Sequence, residues 1–230
     1  MDAINLVRLL RLASPALPVG AFAYSQGLEW AVEAGWVRDA ATFADWVRGL
    51  LLESLASLDL PALARMHRAW SVGDAPAAWR ESATLLAFRD NAEARQEDRQ
   101  LGASLARILI DEDDPALAGE ARELLGNQSN LTFACVFALA GARWAIDAAA
   151  CLPAFAWMVV ESQTMAAIKL VPLGQSAGQR ILSRLAPDVA AAAASALAWP
   201  GEMAQAFANT PGRALAQLRH AGQRVRLFRS

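Results

Sequence analysis

The sequence predicts an all-α fold, a single-domain helical bundle of about ten helices with a basic C-terminal tail, and three observations carry that prediction. Ala and Leu, both strong helix formers, supply 85 of the 230 residues. Apolar residues recur at three- and four-residue spacing along most of the chain, and no Val/Ile/Thr alternation of the strand kind interrupts them. Asp, Ser, Pro and Gly punctuate those stretches where helices would start and stop. A chain of this length buries roughly 70% of its unfolded surface, so one domain over residues 1–230 needs no covalent or metal staple.

Residues 3–13 carry Ile4, Leu6, Val7, Leu9, Leu10 and Leu12 around Arg8 and Arg11, a nearly all-apolar helix that something must cover. It stops before Ser14-Pro15, and residues 14–24, with two prolines, Gly20 and small apolar side chains, form a packed loop rather than a solvated one. Ser25 caps a helix reaching Gly35, with Leu28, Ala31 and Val32 on its buried face and Glu29 and Glu33 on the other. Asp39 or Thr42 caps the next, whose Phe43, Trp46, Val47, Leu50 and Leu51 share a face. Asp59-Leu60-Pro61 restarts a helix that ends near Gly73, and Asp74 opens another. From Phe88 to Gln100 the apolar stripe thins and charges of both signs alternate, the pattern of a solvated or partner-facing helix face. Breaks follow at Asp111–Pro115 and Gly126–Asn130, then helices at about 129–142, 147–170 and 175–186, and after Pro187 an alanine run at 190–194.

Net charge of −2 and an isoelectric point near 5.7 supply no general attraction to nucleic acid or anionic membrane. The longest apolar stretches, 131–142, 148–160 and 189–199, fall short of the roughly 18 residues a bilayer span needs, so they are expected as core helices. Cys135 and Cys151, each in apolar surroundings, are expected as buried thiols of a reducing compartment. Asp2, Arg8 and Arg11 spoil any secretory leader, which points to the cytoplasm.

The chemistry is bounded mainly by what is missing. A phosphate-binding P-loop needs Gly-Lys-Ser/Thr, but the only lysine is Lys169, followed by Leu170. His67 and His220 lie far apart, with no His-Glu-x-x-His or Cys-x-x-Cys spacing, and no Gly-x-Ser-x-Gly elbow occurs. The acidic run Asp111–Asp114 is broken by Pro115 and lacks a carboxylate four residues on from Asp111, so it suits a capping turn better than a magnesium site. An enzyme, a bound cofactor and a resident metal are all disfavoured. Three residues stand out against this background: Tyr24, the only tyrosine, Lys169, and Glu29 between them in character. Each has a plain structural reading. Tyr24 would anchor the loop, Lys169 would complement a helix C-terminus and Glu29 a helix N-terminus.

The residues LASPALPVGAFAYSQGLEWAVEAGWV from Leu12 to Val37 resemble the N-terminal signature of the urease accessory protein UreF family. DLPALARMHRA from Asp59, FRDNAEARQEDRQLG from Phe88, ESQTMAAIKLVPLGQ from Glu161 and the terminal RLFRS resemble further family segments in the same order. Residues 111–130 and 187–210 match only loosely. The resemblance implies an all-α, homodimeric, non-catalytic protein of nickel-enzyme maturation. Such a protein would bridge UreD (also called UreH) and the GTPase UreG, with the assembly docking on apo-urease and GTP hydrolysis coupled to nickel insertion. It also implies roles for particular residues. Glu29 and Lys169, with Tyr24 beside the first, match the GTPase-facing surface. Arg226, Leu227, Phe228 and Arg229, within a basic partner-docking tail at 211–230, match the UreD-facing segment that orders on contact. The tail's own composition agrees, because after Glu202 five arginines and no acid occur, with Leu227 and Phe228 among them. The competing readings are an all-α enzyme acting on an isoprenoid-type ligand and a generic helical adaptor.

Overall fold

The computed structural model describes residues 1–199 and 209–229, and among these described residues it has eleven α-helices and no strand. In chain order the helices are α1 Ala3–Leu12, α2 Leu28–Glu33, α3 Ala40–Leu50, α4 Leu60–Ser71, α5 Ala75–Ala87, α6 Ala92–Ile110, α7 Pro115–Gly126, α8 Phe133–Arg143, α9 Ala148–Leu170, α10 Gln175–Leu197 and α11 Pro211–His220. Short side chains of three residue types close several of their N-termini. Asp39, Asp74, Asn91, Asp114 and Thr132 each accept a hydrogen bond from a backbone amide two or three residues on. Asp114 is thus the cap of α7, and the acidic run before it is the turn the sequence suggests.

The core is built around α8, buried from Phe133 to Gly141, and α9, which packs between α10, α4 and the α2 end of the molecule. By length and composition α9 could cross a bilayer, but half of that apolar stretch is buried inside the protein, where it serves as the central core helix. Both cysteines are buried and unpaired, and burial pushes their thiols up to about 12. Gly141 allows the close α8–α9 approach, since a Cβ there would sit 2.6 Å from Cys151 Sγ.

Four boundaries depart from the sequence expectation. No break occurs before Asp59; α3 runs through a π-helical stretch, Leu51–Asp59, straight into α4. Asp59 has helical backbone and caps nothing, because its carboxylate is turned to Arg89 instead. Nor does Pro187 end a helix. Leu185, Val189, Ala192 and Ala196 continue the buried stripe of α10 across it, and Arg48 of α3 bonds Asp188 at 2.9 Å just beyond. Pro187 itself is exposed, as is Ser183, the residue whose carbonyl lacks its usual amide partner. The helix expected from about 129 starts at Phe133, after a 3₁₀ turn at Gln128–Asn130. Finally, α2 starts after Gly27 rather than at Ser25, although the Ser25 hydroxyl still accepts from the Glu29 amide at 3.3 Å.

The mixed-charge block 88–100 is the largest correction. Expected as a solvated or partner-facing face, it turns much of its charge inward: Glu97 and Asp98 are buried, and Arg89 lies between Asp59 and Asp98 at 2.7 and 2.8 Å. The second oxygen of Asp98 accepts from the Phe133 amide at the start of α8. Burial opposes the Arg89 charge, yet Asp59 and Asp98 outweigh it and hold its pKa above the ordinary value. Partners drawn from three separate elements create this network, which local alternation of charge cannot reveal.

Candidate partner-docking site

The residues singled out in the sequence converge on one place, the junction of α2, α11 and the segment that follows α11. Gly27 makes the junction possible. Its φ of 87° suits glycine, and a Cβ there would meet the backbone nitrogen of Gln217 on α11 at 2.9 Å. With α2 and α11 this close, Glu29 in the first turn of α2 faces α11 and is only 9% exposed. It does not lie on an open helix face beside Glu33, as the periodicity suggests.

The Glu29 carboxylate organises the junction. Its Oε1 accepts from the Leu227 amide at 2.6 Å and its Oε2 from the Phe228 amide at 3.0 Å, while His220 Nε2 lies 3.1 Å from Oε2. An ionised carboxylate only accepts, so Nε2 of the wholly buried His220 is the nitrogen that carries hydrogen. The other ring nitrogen faces Glu93 of α6 at 3.9 Å, and Glu93 in turn pairs with Arg226 at 3.3 Å. Phe228, 5% exposed, inserts behind Glu29, with Lys169 Nζ 5.8 Å above its ring. One residue on, the Arg229 amide donates to the Ala23 carbonyl at 2.7 Å. Tyr24 is buried beside that carbonyl, its hydroxyl bonded to Gln100 of α6. Leu227, by contrast, projects outward.

Tyr24, Glu29, Lys169, Arg226, Phe228 and Arg229 therefore form a single constellation, although the sequence suggested two separate surfaces. A further correction concerns the tail. Expected to order only against a partner, it is folded on the chain's own residues from Pro211 through Arg229, Ser230 and residues 200–208 lying outside the described residues. Charge repulsion among its arginines does not prevent this: Glu93 pairs with Arg226, and Glu29 takes the backbone amides of the segment. His220 and Glu93 are the residues of the junction that the sequence did not single out. The only signals were that His220 is one of two histidines and that Glu93 sits in the mixed-charge block.

Behind the junction an interior cavity of about 100 Å³ is lined by Tyr24, Asp59, Arg89, Glu97, Asp98, Gln163, Arg213 and Gln217, among others. Gln163 crosses from α9 to bond the Ser25 carbonyl at 3.1 Å, fastening the loop ahead of α2. Burial lowers the Arg213 pKa, with Asp59 pulling in the opposite direction. His67, the other histidine, is not part of this cavity's lining and bonds the Ile146 carbonyl at 2.8 Å, and burial lowers its pKa.

Comparison with known proteins decides the family. The UreF family model matches residues 37–186, and urease accessory protein UreF of Alkalilimnicola ehrlichii is 48% identical over 223 residues, covering 97% of this chain and 95% of its own. The chain belongs to the UreF family. Urease accessory protein UreF of Dechloromonas aromatica is 43% identical over 99% of the chain and 98% of its own length, and that of Escherichia coli O157:H7 is 43% identical over 97% of both. The family model includes Lys169 but stops short of Tyr24 and Glu29 at one end and of the C-terminal segment at the other. The relatives share the name of an accessory protein, which agrees with the sequence reading of a non-enzymatic chain.

Proposed function

We propose that this chain acts in urease maturation as a bridge between UreD (UreH) and the GTPase UreG, in a homodimeric form in the cytoplasm, and that the assembly docks on apo-urease. In that complex it couples UreG's GTP hydrolysis to nickel insertion, the nucleotide belonging to the partner and the nickel being cargo. The observation that supports this reading best is the Glu29 carboxylate's hold on the amides of Leu227 and Phe228. Residues matching the GTPase-facing set (Tyr24, Glu29, Lys169) and the UreD-facing set (Arg226, Leu227, Phe228, Arg229) are in direct contact through that carboxylate. A partner that engages one set bears on the other, as a bridging protein requires. Exposed Leu227 and the Arg229 side chain offer a first foothold, while Phe228 and Glu29 become available only if the segment shifts.

The test is co-elution of tagged full-length chain with purified UreD and UreG on a sizing column. The expected result is a ternary complex with the unaltered chain, lost for UreD when residues Gln223–Ser230 are deleted and weakened for UreG in Lys169→Ala. Retention of both partners by both variants contradicts the proposal.

A further inference from the structure

Beside the junction, on the other side of the loop 19–24, lies an open groove of about 510 Å³ that borders it at Tyr24 and Arg229 and whose α6 floor none of the readings above employs. Its floor is a single stripe of α6: Gln96, Arg99, Gln100, Ala103, Ser104 and Arg107, spaced at three- and four-residue intervals. Val19 and Phe22 form the opposite wall, and Arg229 closes one end. Charge is segregated across α6, with Glu97 and Asp98 buried toward the interior cavity and Arg99 and Arg107 turned to the groove. Among the described residues no carboxylate lines the groove, and none pairs with Arg99, Arg107 or Arg229 within 4.0 Å. Arg99 is steadied by donating from Nε to the Ser129 carbonyl at 3.1 Å. Phe22, 67% exposed, is an aromatic side chain left uncovered beside this basic stripe.

We infer that this groove docks an extended, acidic segment of a protein partner, in which two carboxylates flank an apolar residue. Spacing favours an extended occupant over a single small anion. Arg99 and Arg107 are eight residues apart on one helix, about 12 Å of rise, whereas one phosphate requires donors converging on a few ångströms. An extended chain advances about 3.3 Å per residue, so carboxylates four residues apart, about 13 Å, meet both guanidinium groups. The residue midway between them then lies over Ala103 and Ser104, where small side chains leave room, and against Phe22. The amides of Gln96 and Gln100 border the path and suit main-chain groups of such a segment. This inference concerns the isolated chain and stands whether or not the bridge between UreD and UreG is correct.

Fluorescence anisotropy with the full-length chain and a labelled, end-capped Glu-Ser-Leu-Ser-Glu peptide at low salt tests it. Binding is expected, falling at least about tenfold in Arg99→Glu/Arg107→Glu and several-fold in Phe22→Ser, with no binding of the Lys-Ser-Leu-Ser-Lys counterpart. Circular dichroism checks that the fold survives; because Arg107 is exposed, Arg107→Glu alone keeps the test decisive should the double variant misfold. Sodium phosphate is expected to displace the peptide no better than sodium chloride of equal ionic strength. Absence of peptide binding, equal binding by the variants, or preferential displacement by phosphate overturns the inference.

Discussion

Two carboxylate-centred clusters in this protein do similar chemistry to different ends. Asp59, Arg89 and Asp98 join the π-helical stretch, the turn before α6, and α6 to the start of α8, and both carboxylates are anchored in helices, with Arg89 in the short turn between α5 and α6. Glu29 joins α2, α11 and the final residues, and two of its three partners belong to a segment with no helix of its own. In the first cluster the charges cannot separate without disturbing the core. In the second, withdrawing residues 221–229 costs the hydrogen bonds to Glu29 and the burial of Phe228, while leaving the helices intact. The same interaction is structural where both ends are fixed and conditional where one end is a terminal segment.

The difference is tested first where it is largest. Arg89→Met should destabilise the protein by about 3–5 kcal/mol, because Asp59 and Asp98 are left as uncompensated buried charges, and thermal unfolding would report it. A drop no larger than that of a surface arginine variant would show that the two clusters do not differ as argued. Glu29→Gln comes next. Its amide cannot accept all three donors, and the expected loss is about 1–3 kcal/mol with far-ultraviolet circular dichroism unchanged. An exposed carboxylate would give under about 1 kcal/mol, so this value separates the buried position seen here from the exposed one suggested by helix periodicity.

Deletion of Gln223–Ser230 should change stability less, by about 1 kcal/mol, since the burial of Phe228 is largely offset by the ordering entropy of the segment. Helicity should persist while UreD co-elution is lost; a collapse of helicity would move the segment into the same category as Arg89. Lys169→Ala is the smallest. Its exposed ammonium over Phe228 contributes under about 1 kcal/mol, so the melting temperature should barely move, and an effect on UreG retention would then be an interface effect.

Much of the fold was legible because its signals are local. Asp39 and Asp74 mark helix starts by their own hydrogen bonds, and the stripe Phe43, Val47, Leu50 identifies a buried face without knowledge of its partner. Asp59 and Pro187 mislead for the same reason, since each is a local break signal overruled by contacts from elsewhere, Arg89 in one case and the α3–α10 packing in the other. The site was legible only in part. Family resemblance drew attention to Glu29, Lys169 and the last residues, but Leu227 and Phe228 are nearly two hundred residues from Glu29, and no periodicity reports a contact of that span. His220 was given no role because a lone histidine shows no sign of the carboxylates that fold around it.

Hydrogen exchange at the Leu227 and Phe228 amides tests the central claim most directly, namely that one carboxylate holds the C-terminal segment. In the unaltered full-length chain both amides should exchange far more slowly than those of an open chain end, and Glu29→Gln should return both to open-chain rates while the amides of α8 and α9 keep their protection. Equal protection of the two amides with and without the Glu29 carboxylate, or none in either protein, would contradict it.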